Sequence, residues 1–257
     1  MINTRVIPCL LLKDKRLVKS IRFKDYIYLG DPINAVKIFS EKEVHELVFF
    51  DIMASKEDRT ISLDVVRNIA DECYMPFSVG GGIKKVEDIR LLLNNGAEKV
   101  VINTSAIENP SLIEESAEIF GSQSIVVCID VKKKLFGSCE VLKKGGTELT
   151  GLDPVQHALN IEKLGAGEII VNSIDRDGTM KGYDIEIIRS ISDAVNIPVI
   201  ACGGAGKIED LRDAVYKGHA SAVAAGSLFV FYGPRKAVLI NFPIKQDIKE
   251  LINLKVE

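Results

Sequence analysis

The chain has 257 residues, 47% of them apolar and 27% charged, with a net charge of −3 at neutral pH, a size and balance ordinary for one compact α/β domain. No basic stripe is present for nucleic acid or an anionic membrane, no apolar run is long enough to span a bilayer, and the short run at 6–12 directly after Arg5 is no signal peptide. Five cysteines without a C-x-x-C pair argue against a disulfide framework and a structural zinc site, so the expectation is the reducing cytoplasm, with no metal and no cofactor.

Short apolar runs alternate with amphipathic segments along the whole chain. Residues 6–12 predict a first strand, followed by a long charged segment at 13–30, read as a loop, and a helix at 32–42. Strands at 46–52, 77–79 and 99–102 then alternate with helices at 62–73, 86–95 and 110–120. The pattern continues with strands at 124–129, 168–173, 199–201 and 222–225, and with helices at 154–164, 184–195, 208–217 and near 245–254. Eight strand–helix units whose strands are apolar on both faces imply a closed parallel (βα)8 TIM barrel in a single domain spanning 1–257.

The chain also repeats itself. Val6-Ile7-Pro8-Cys9-Leu10-Leu11 returns as Val126-Val127-Cys128-Ile129-Asp130, and Pro76-Phe77-Ser78-Val79-Gly80-Gly81-Gly82-Ile83 returns as Pro198-Val199-Ile200-Ala201-Cys202-Gly203-Gly204-Ala205. The acidic stretch Val86-Glu87-Asp88-Ile89 recurs as Ile208-Glu209-Asp210-Leu211. Two (βα)4 halves, roughly 1–122 and 123–257, therefore compose the barrel, which disfavours the alternative of an open doubly wound sheet. In this register Leu11 stands where the second half has Asp130.

In such a barrel, chemistry gathers on the loops after the carboxyl ends of the strands. Gly80-Gly81-Gly82 with Asn103-Thr104 forms one candidate anion cradle, and Gly203-Gly204 with Gly226-Ser227 forms its twin, because glycine lets backbone amides approach an oxyanion closely. The matched pair implies a phosphorylated small molecule with a phosphate at each end. Asp130, Asp51, Asp175 and Asp177 are the candidate mouth carboxylates; Asp51 and Asp175 can equally cap a loop or pair with a neighbouring cation. Lys19 falls in the 13–30 segment, where a solvated loop charge is the alternative reading. Cys9, Cys128 and Cys202 read as small buried hydrophobes.

Several motifs together resemble one family. Arg5-Val6-Ile7-Pro8-Cys9-Leu10, Gly30-Asp31-Pro32, Ser78-Val79-Gly80-Gly81-Gly82-Ile83, Asn109-Pro110, Phe120-Gly121-Ser122-Gln123, Thr150-Gly151-Leu152-Asp153, Gly165-Ala166-Gly167-Glu168 and Asp175-Arg176-Asp177-Gly178-Thr179 resemble the cyclase subunit of imidazole glycerol phosphate synthase, the HisF family, over residues 5–231. The resemblance implies a HisH-like glutaminase partner at the amino-terminal barrel face, whose ammonia crosses the core to a twin-phosphate ribonucleotide. It makes Asp130 one of two catalytic aspartates and Lys19 the lysine that covers the substrate. It assigns Gly82, Asn103 and Thr104 to one phosphate site, and Gly178, Gly203, Gly204 and Ser227 to the other. Arg5, Glu46, Lys99 and Glu168, at the beginnings of strands one, two, four and six, match the charged ring that admits ammonia; read from the residues alone, such a ring is a structural plug of ion pairs.

Leu11 departs from the pattern, since the family places its other catalytic aspartate there. That change, with Cys9-Leu10-Leu11-Leu12 and the segment from Tyr232 to Pro243, resembles the HisF-like branch that supplies ammonia to a third protein, a sugar amidotransferase that builds an acetamidino group on a bacterial surface sugar. Two alternatives stand beside it. One is an authentic histidine-pathway cyclase, a lyase, with its acid relocated to Asp14 or Asp51. The other is a non-enzymatic module that binds a phosphorylated metabolite.

Overall fold

Apolar side chains on both faces of the barrel strands are what close this chain on itself. The computed structural model describes residues 4–134 and 137–243. Its barrel strands are β1 (Arg5–Lys13), β2 (Leu47–Asp51), β3 (Phe77–Gly80), β4 (Lys99–Ile102), β5 (Ile125–Lys133), β6 (Glu168–Ser173), β7 (Val199–Cys202) and β8 (Ala222–Ala225). Each pairs in parallel with the next, and β8 returns to β1 through Arg5↔Ala222 to Pro8↔Ala225. The expected eight-stranded parallel barrel is therefore observed.

Along β1 the side chains of Val6, Leu10 and Leu12 pack outward under the helices, whereas Ile7, Cys9 and Leu11 face the interior. That interior is filled by small and branched residues from the other strands, among them Val48, Val101, Val126, Ile170, Ile200 and Ala224. Burial on both faces is why the strands read as continuous apolar runs. Among the described residues no helix is long and apolar enough to cross a membrane.

Repeated sequence is matched by repeated local structure. Asp31 caps the helix Pro32–Glu41 by accepting from the Ile33 and Asn34 amides, and Asp153 does the same for Pro154–Lys163 through Val155 and Gln156. In both, proline occupies the first helical turn, where its missing N–H is harmless. Asp88 and Asp210 reach back from their helices to the amides of Lys84 and Lys85 and of Gly206 and Lys207, satisfying donors that the helix leaves open.

The 13–30 segment is not a loop. Residues Arg16–Ile21 and Lys24–Gly30 form an antiparallel hairpin, docked on β1 through Leu11↔Val18 and Leu12↔Leu17. Its two turns place Asp14 with Lys15, and Arg22 with Phe23, at φ between 51° and 62°. Such turns ordinarily announce themselves with Asn-Gly or Asp-Gly, and neither is present here. A second extension, Cys139–Lys143 with Glu148–Leu149, continues from β5 in the same way. The amphipathic segment expected near 245–254 lies outside the described residues.

His157, on the helix Pro154–Lys163, is 7% exposed, and burial pushes its imidazole down to about 4. The folded chain therefore keeps His157 neutral while the unfolded chain takes up a proton near pH ~6.5. Stability from this site is present above that pH and is lost as pH falls towards 4. Denaturant titrations at about pH 7.5 and about pH 5 should show the wild type losing about 1–2 kcal/mol more than His157→Gln; equal losses would contradict the assignment.

Candidate functional site

The inward-facing residues at the carboxyl ends of the strands line a cavity open to solvent. One wall is apolar: Leu11 and Val18 pack with Tyr26, Phe50 and Ile52. The facing wall is polar, with Asn103, Asp130, Asn172 and Asp177. Leu11 and Asp130 sit on β1 and β5, four strands apart in a ring of eight and thus on opposite sides of the mouth.

Asp130 is 7% exposed and is held by two amides. Asn172 Nδ2 donates to its Oδ1 at 2.9 Å, and Asn103 Nδ2 donates to its Oδ2 at 3.3 Å. Burial pushes its carboxyl up to about 7, an effect opposed by the Asn172 hydrogen bond and reinforced by the charge of Asp177. A carboxyl poised there can hold or release a proton near neutral pH.

Lys19 is not a solvated loop charge. It is 4% exposed on the strand Arg16–Ile21, and its Nζ lies 3.5 Å from Asp177 Oδ1. Burial would lower its pKa, but Asp177 together with Cys9 and Cys202 outweighs that and the ammonium is held above its ordinary value. Ser20 Oγ also donates to Asp177, so the carboxylate ties the hairpin to the loop after β6. Lys19 Nζ crowds the position that a Cβ on Gly226 would occupy, so glycine there makes room for the ammonium. Around it lies a small pocket lined by Gly178, Gly203, Gly204 and Ser227. The Ser227 hydroxyl is buried and has no partner among the described residues.

Gly82 and Thr104 line the mouth together. Gly82 has φ +66°, and a Cβ on it would overlap the Arg59 carbonyl, so the approach of the 51–59 loop alone demands glycine. Thr104 Oγ1 accepts from the Lys144 amide at 3.0 Å, while Asn103 is turned towards Asp130 and the Cys128 carbonyl. Asp51 pairs with Arg59 at 2.6 Å and accepts from the Met53 and Ala54 amides. Asp175 accepts from the Lys133 amide. Both are thus engaged in shaping loops. Asp14 is exposed at a turn and is not among the residues lining the mouth cavity.

At the amino-terminal end the four charged residues meet. Arg5 bonds Glu46 and Glu168 at 2.5 Å each, and Lys99 Nζ lies 3.3 Å from Glu46 and 3.0 Å from Glu168. The result is a ring of alternating charge. Burial alone would lower the Arg5 pKa, but Glu168 and Glu46 outweigh it and hold the guanidinium above its ordinary value. Directly above, Ile7, Val48, Ser78, Val126, Ile170, Ile200 and Ala224 line a small cavity with the two glutamates. The next layer, Cys9, Val101, Cys128 and Cys202, belongs to the mouth cavity. All five cysteines are free, and burial pushes the Cys128 thiol well up, keeping it protonated. No group of His, Cys, Asp and Glu suited to a metal ion is found among the described residues.

Sequence reading missed Asn172, Ser20 and Arg59. Asn172 stands next to last in β6, beside Asp130 in register, so the strand-end rule that singled out Asp130 also reaches it. Ser20 and Arg59 carried no such signal, because their partners are brought by the hairpin and by the fold of the 51–59 loop.

Residues 5–234 match the family model described as histidine biosynthesis protein. The chain is 49% identical over 251 residues to a Pseudomonas aeruginosa protein provisionally named imidazole glycerol phosphate synthase subunit hisF2, covering 98% of this chain and 99% of that one. It is 49% identical over 229 residues to imidazole glycerol phosphate synthase subunit HisF of Alkaliphilus metalliredigens, covering 89% and 91%. A Vibrio vulnificus protein provisionally named hisF3 is 46% identical over 255 residues, 99% of this chain and 98% of the relative. With the closed eight-stranded barrel and its residues 5–234 matched, this chain belongs to the HisF family of histidine-biosynthesis proteins.

Proposed function

We propose that this HisF-type subunit conducts ammonia, released by a HisH-like glutaminase docked at the amino-terminal face, through the barrel to its mouth, and that the ammonia serves amidation of a bacterial surface sugar by a third protein. The observation that carries the reading is a closed charged ring at one end of the barrel combined with an apolar Leu11 facing Asp130 at the other. The ring has a balanced charge and uncharged, mostly aliphatic side chains above it, so a neutral molecule of ammonia's size meets no fixed charge between ring and mouth. A single proton-transferring carboxyl is left where ring closure would employ two.

The names of the relatives favour a second reading, an authentic cyclase. Against it stand the engagement of Asp51 with Arg59 and of Asp177 with Lys19, and the exposure of Asp14, which leave Asp130 without a second acid free of an ion-pair partner in the mouth. The buried Ser227 hydroxyl, the Lys19 ammonium and the glycine backbone beside them are suited to a phosphate group, which supports a phosphorylated ligand under either reading.

Ammonium-driven turnover of the histidine-pathway ribonucleotide is expected to run ~10²–10⁴-fold below that of an aspartate-bearing relative. Leu11→Asp should restore part of it, because the new carboxylate would sit against Val18, Tyr26 and Phe50, where burial disfavours its charged form. Normal turnover in the wild type would establish the cyclase reading instead.

Inorganic phosphate should raise the melting temperature of the wild type, and Ser227→Ala should reduce that rise. An equal rise in the variant would remove Ser227 from the phosphate site.

Lys99→Glu would set three carboxylates together in a weakly solvated ring, where like charges are costly. In a system reconstituted with glutaminase and acceptor enzyme, product made from glutamine should fall relative to product made from added ammonium. An unchanged ratio would remove the ring from the ammonia path.

A further inference from the structure

The second turn of the 16–30 hairpin places Phe23 at φ 62°, a conformation that bulky side chains rarely adopt and that the surroundings must hold. Here they do. The Tyr26 hydroxyl donates to the Phe23 carbonyl at 3.0 Å, and the Arg22 amide donates to the Asp177 carbonyl at 2.9 Å. The Phe23 ring thereby reaches the second extension, where a Cβ on Gly146 would sit 2.9 Å from it. Glycine at 146 leaves the ring its place beside the mouth.

The same cavity is lined by the half-buried Tyr26, Phe50 and Ile52, with the buried Leu11 among them. Three aromatic rings and two branched aliphatic side chains thus make one wall of a site open to solvent. Apolar surface kept wet in a concave site is a place for the apolar face of a ligand. An open chain of hydroxyls laid on that wall would leave its donors unpaired, whereas a planar uncharged ring covers it and packs against the aromatic side chains. An acid at position 11 would break the wall, and leucine completes it.

An anchor lies next to this wall. The small pocket that holds the Lys19 ammonium and the unpaired, buried Ser227 hydroxyl adjoins the mouth cavity, since Cys9, Asp177 and Cys202 line both. The substituent of a phosphate ester seated there can extend directly into the mouth. We propose that Phe23, Tyr26, Phe50 and Ile52, gathered around Leu11, form an apolar subsite, and that the mouth takes a phosphomonoester whose other end is an uncharged aromatic ring. The anchoring phosphate rests on the phosphate-site reading above, while the subsite rests on the wall itself.

Phenyl phosphate, glycerol 3-phosphate and inorganic phosphate, titrated in turn into the full chain, measure the proposal. Phenyl phosphate is expected to bind about tenfold more tightly than either of the others, the gain from covering one ring face, and to be displaced by inorganic phosphate. Phe23→Asn removes the ring and keeps the turn, because asparagine tolerates positive φ. The preference for phenyl phosphate should shrink in it to about threefold or less. NMR of the wild type gives a reading that needs no variant: the phenyl protons should show Overhauser contacts to Phe23, Tyr26 and Phe50.

Equal affinities for the three compounds would strike the subsite and keep the phosphate site, whereas no binding by any of them would strike both. A preference undiminished in a folded Phe23→Asn, or phenyl contacts to none of the three aromatic residues, would also overturn the subsite.

Discussion

Everything in this molecule follows from closing eight parallel strands around a space too narrow for uncompensated charge. Inward positions on each strand share that space, so they are filled by Ile7, Val48, Val126, Ile170 and Ala224 and their neighbours. Charged groups can then stand only at the two ends. At the lower end, Arg5, Glu46, Lys99 and Glu168 solve the problem by pairing with one another around a ring, which desolvates four charges and leaves none alone. At the upper end, Asp130 solves it differently, by two amide hydrogen bonds and a carboxyl pushed up to about 7. A pair of fixed opposite charges makes a plug or a gate, whereas a lone carboxyl with an elevated pKa makes a proton-exchanging site.

Leucine at position 11 is more than the loss of one acid. Its side chain belongs to a continuous apolar wall with Val18 of the hairpin and with Tyr26, Phe50 and Ile52. The hairpin itself is held over the mouth by Asp177, which binds Lys19 and Ser20 from below while its carbonyl accepts from the Arg22 amide. The mouth is thereby divided into an apolar half contributed by β1, β2 and the hairpin, and a polar half contributed by β4, β5 and β6. A ligand that lies across it meets a hydrogen-bonding face on one side only.

Much of this was legible in the sequence, and the reasons differ by element. The eight strands stood out because parallel strands buried on both faces are runs of apolar residues with few rivals. The ring was legible through the family resemblance, and position agreed with it, since Arg5, Glu46, Lys99 and Glu168 stand at or beside strand beginnings. The hairpin at 16–30 was hidden because its turns place Asp14, Lys15, Arg22 and Phe23 at positive φ without any glycine to mark them. The alternative reading of Lys19 as a solvated loop charge rested on the missed hairpin, which buries it in an ion pair with Asp177. Asp51 could not be separated from Asp130 by residue type, because what distinguishes them is Arg59, eight residues further on and brought back by the loop.

The two halves of the barrel have diverged where side chains act and stayed alike where the backbone acts. Asp31 and Asp153, and Asp88 and Asp210, keep their local geometry at one offset, and the glycine pairs after β3 and β7 share positive φ at that same offset. The glycines are demanded twice over: Gly82 by the Arg59 carbonyl, Gly178 by the Ser20 carbonyl and Gly204 by the Gly182 carbonyl. Any side chain there would disturb loop packing before it disturbed a ligand. A cradle of backbone amides therefore persists as long as the barrel folds, independent of what the strand ends carry. A carboxylate at a strand end has no such protection, since Leu11 packs into β1 and its neighbours without strain on the fold. The anion binding proposed above rests on backbone that folding itself secures, while acid–base chemistry rests on single side chains, so the first can outlast the second.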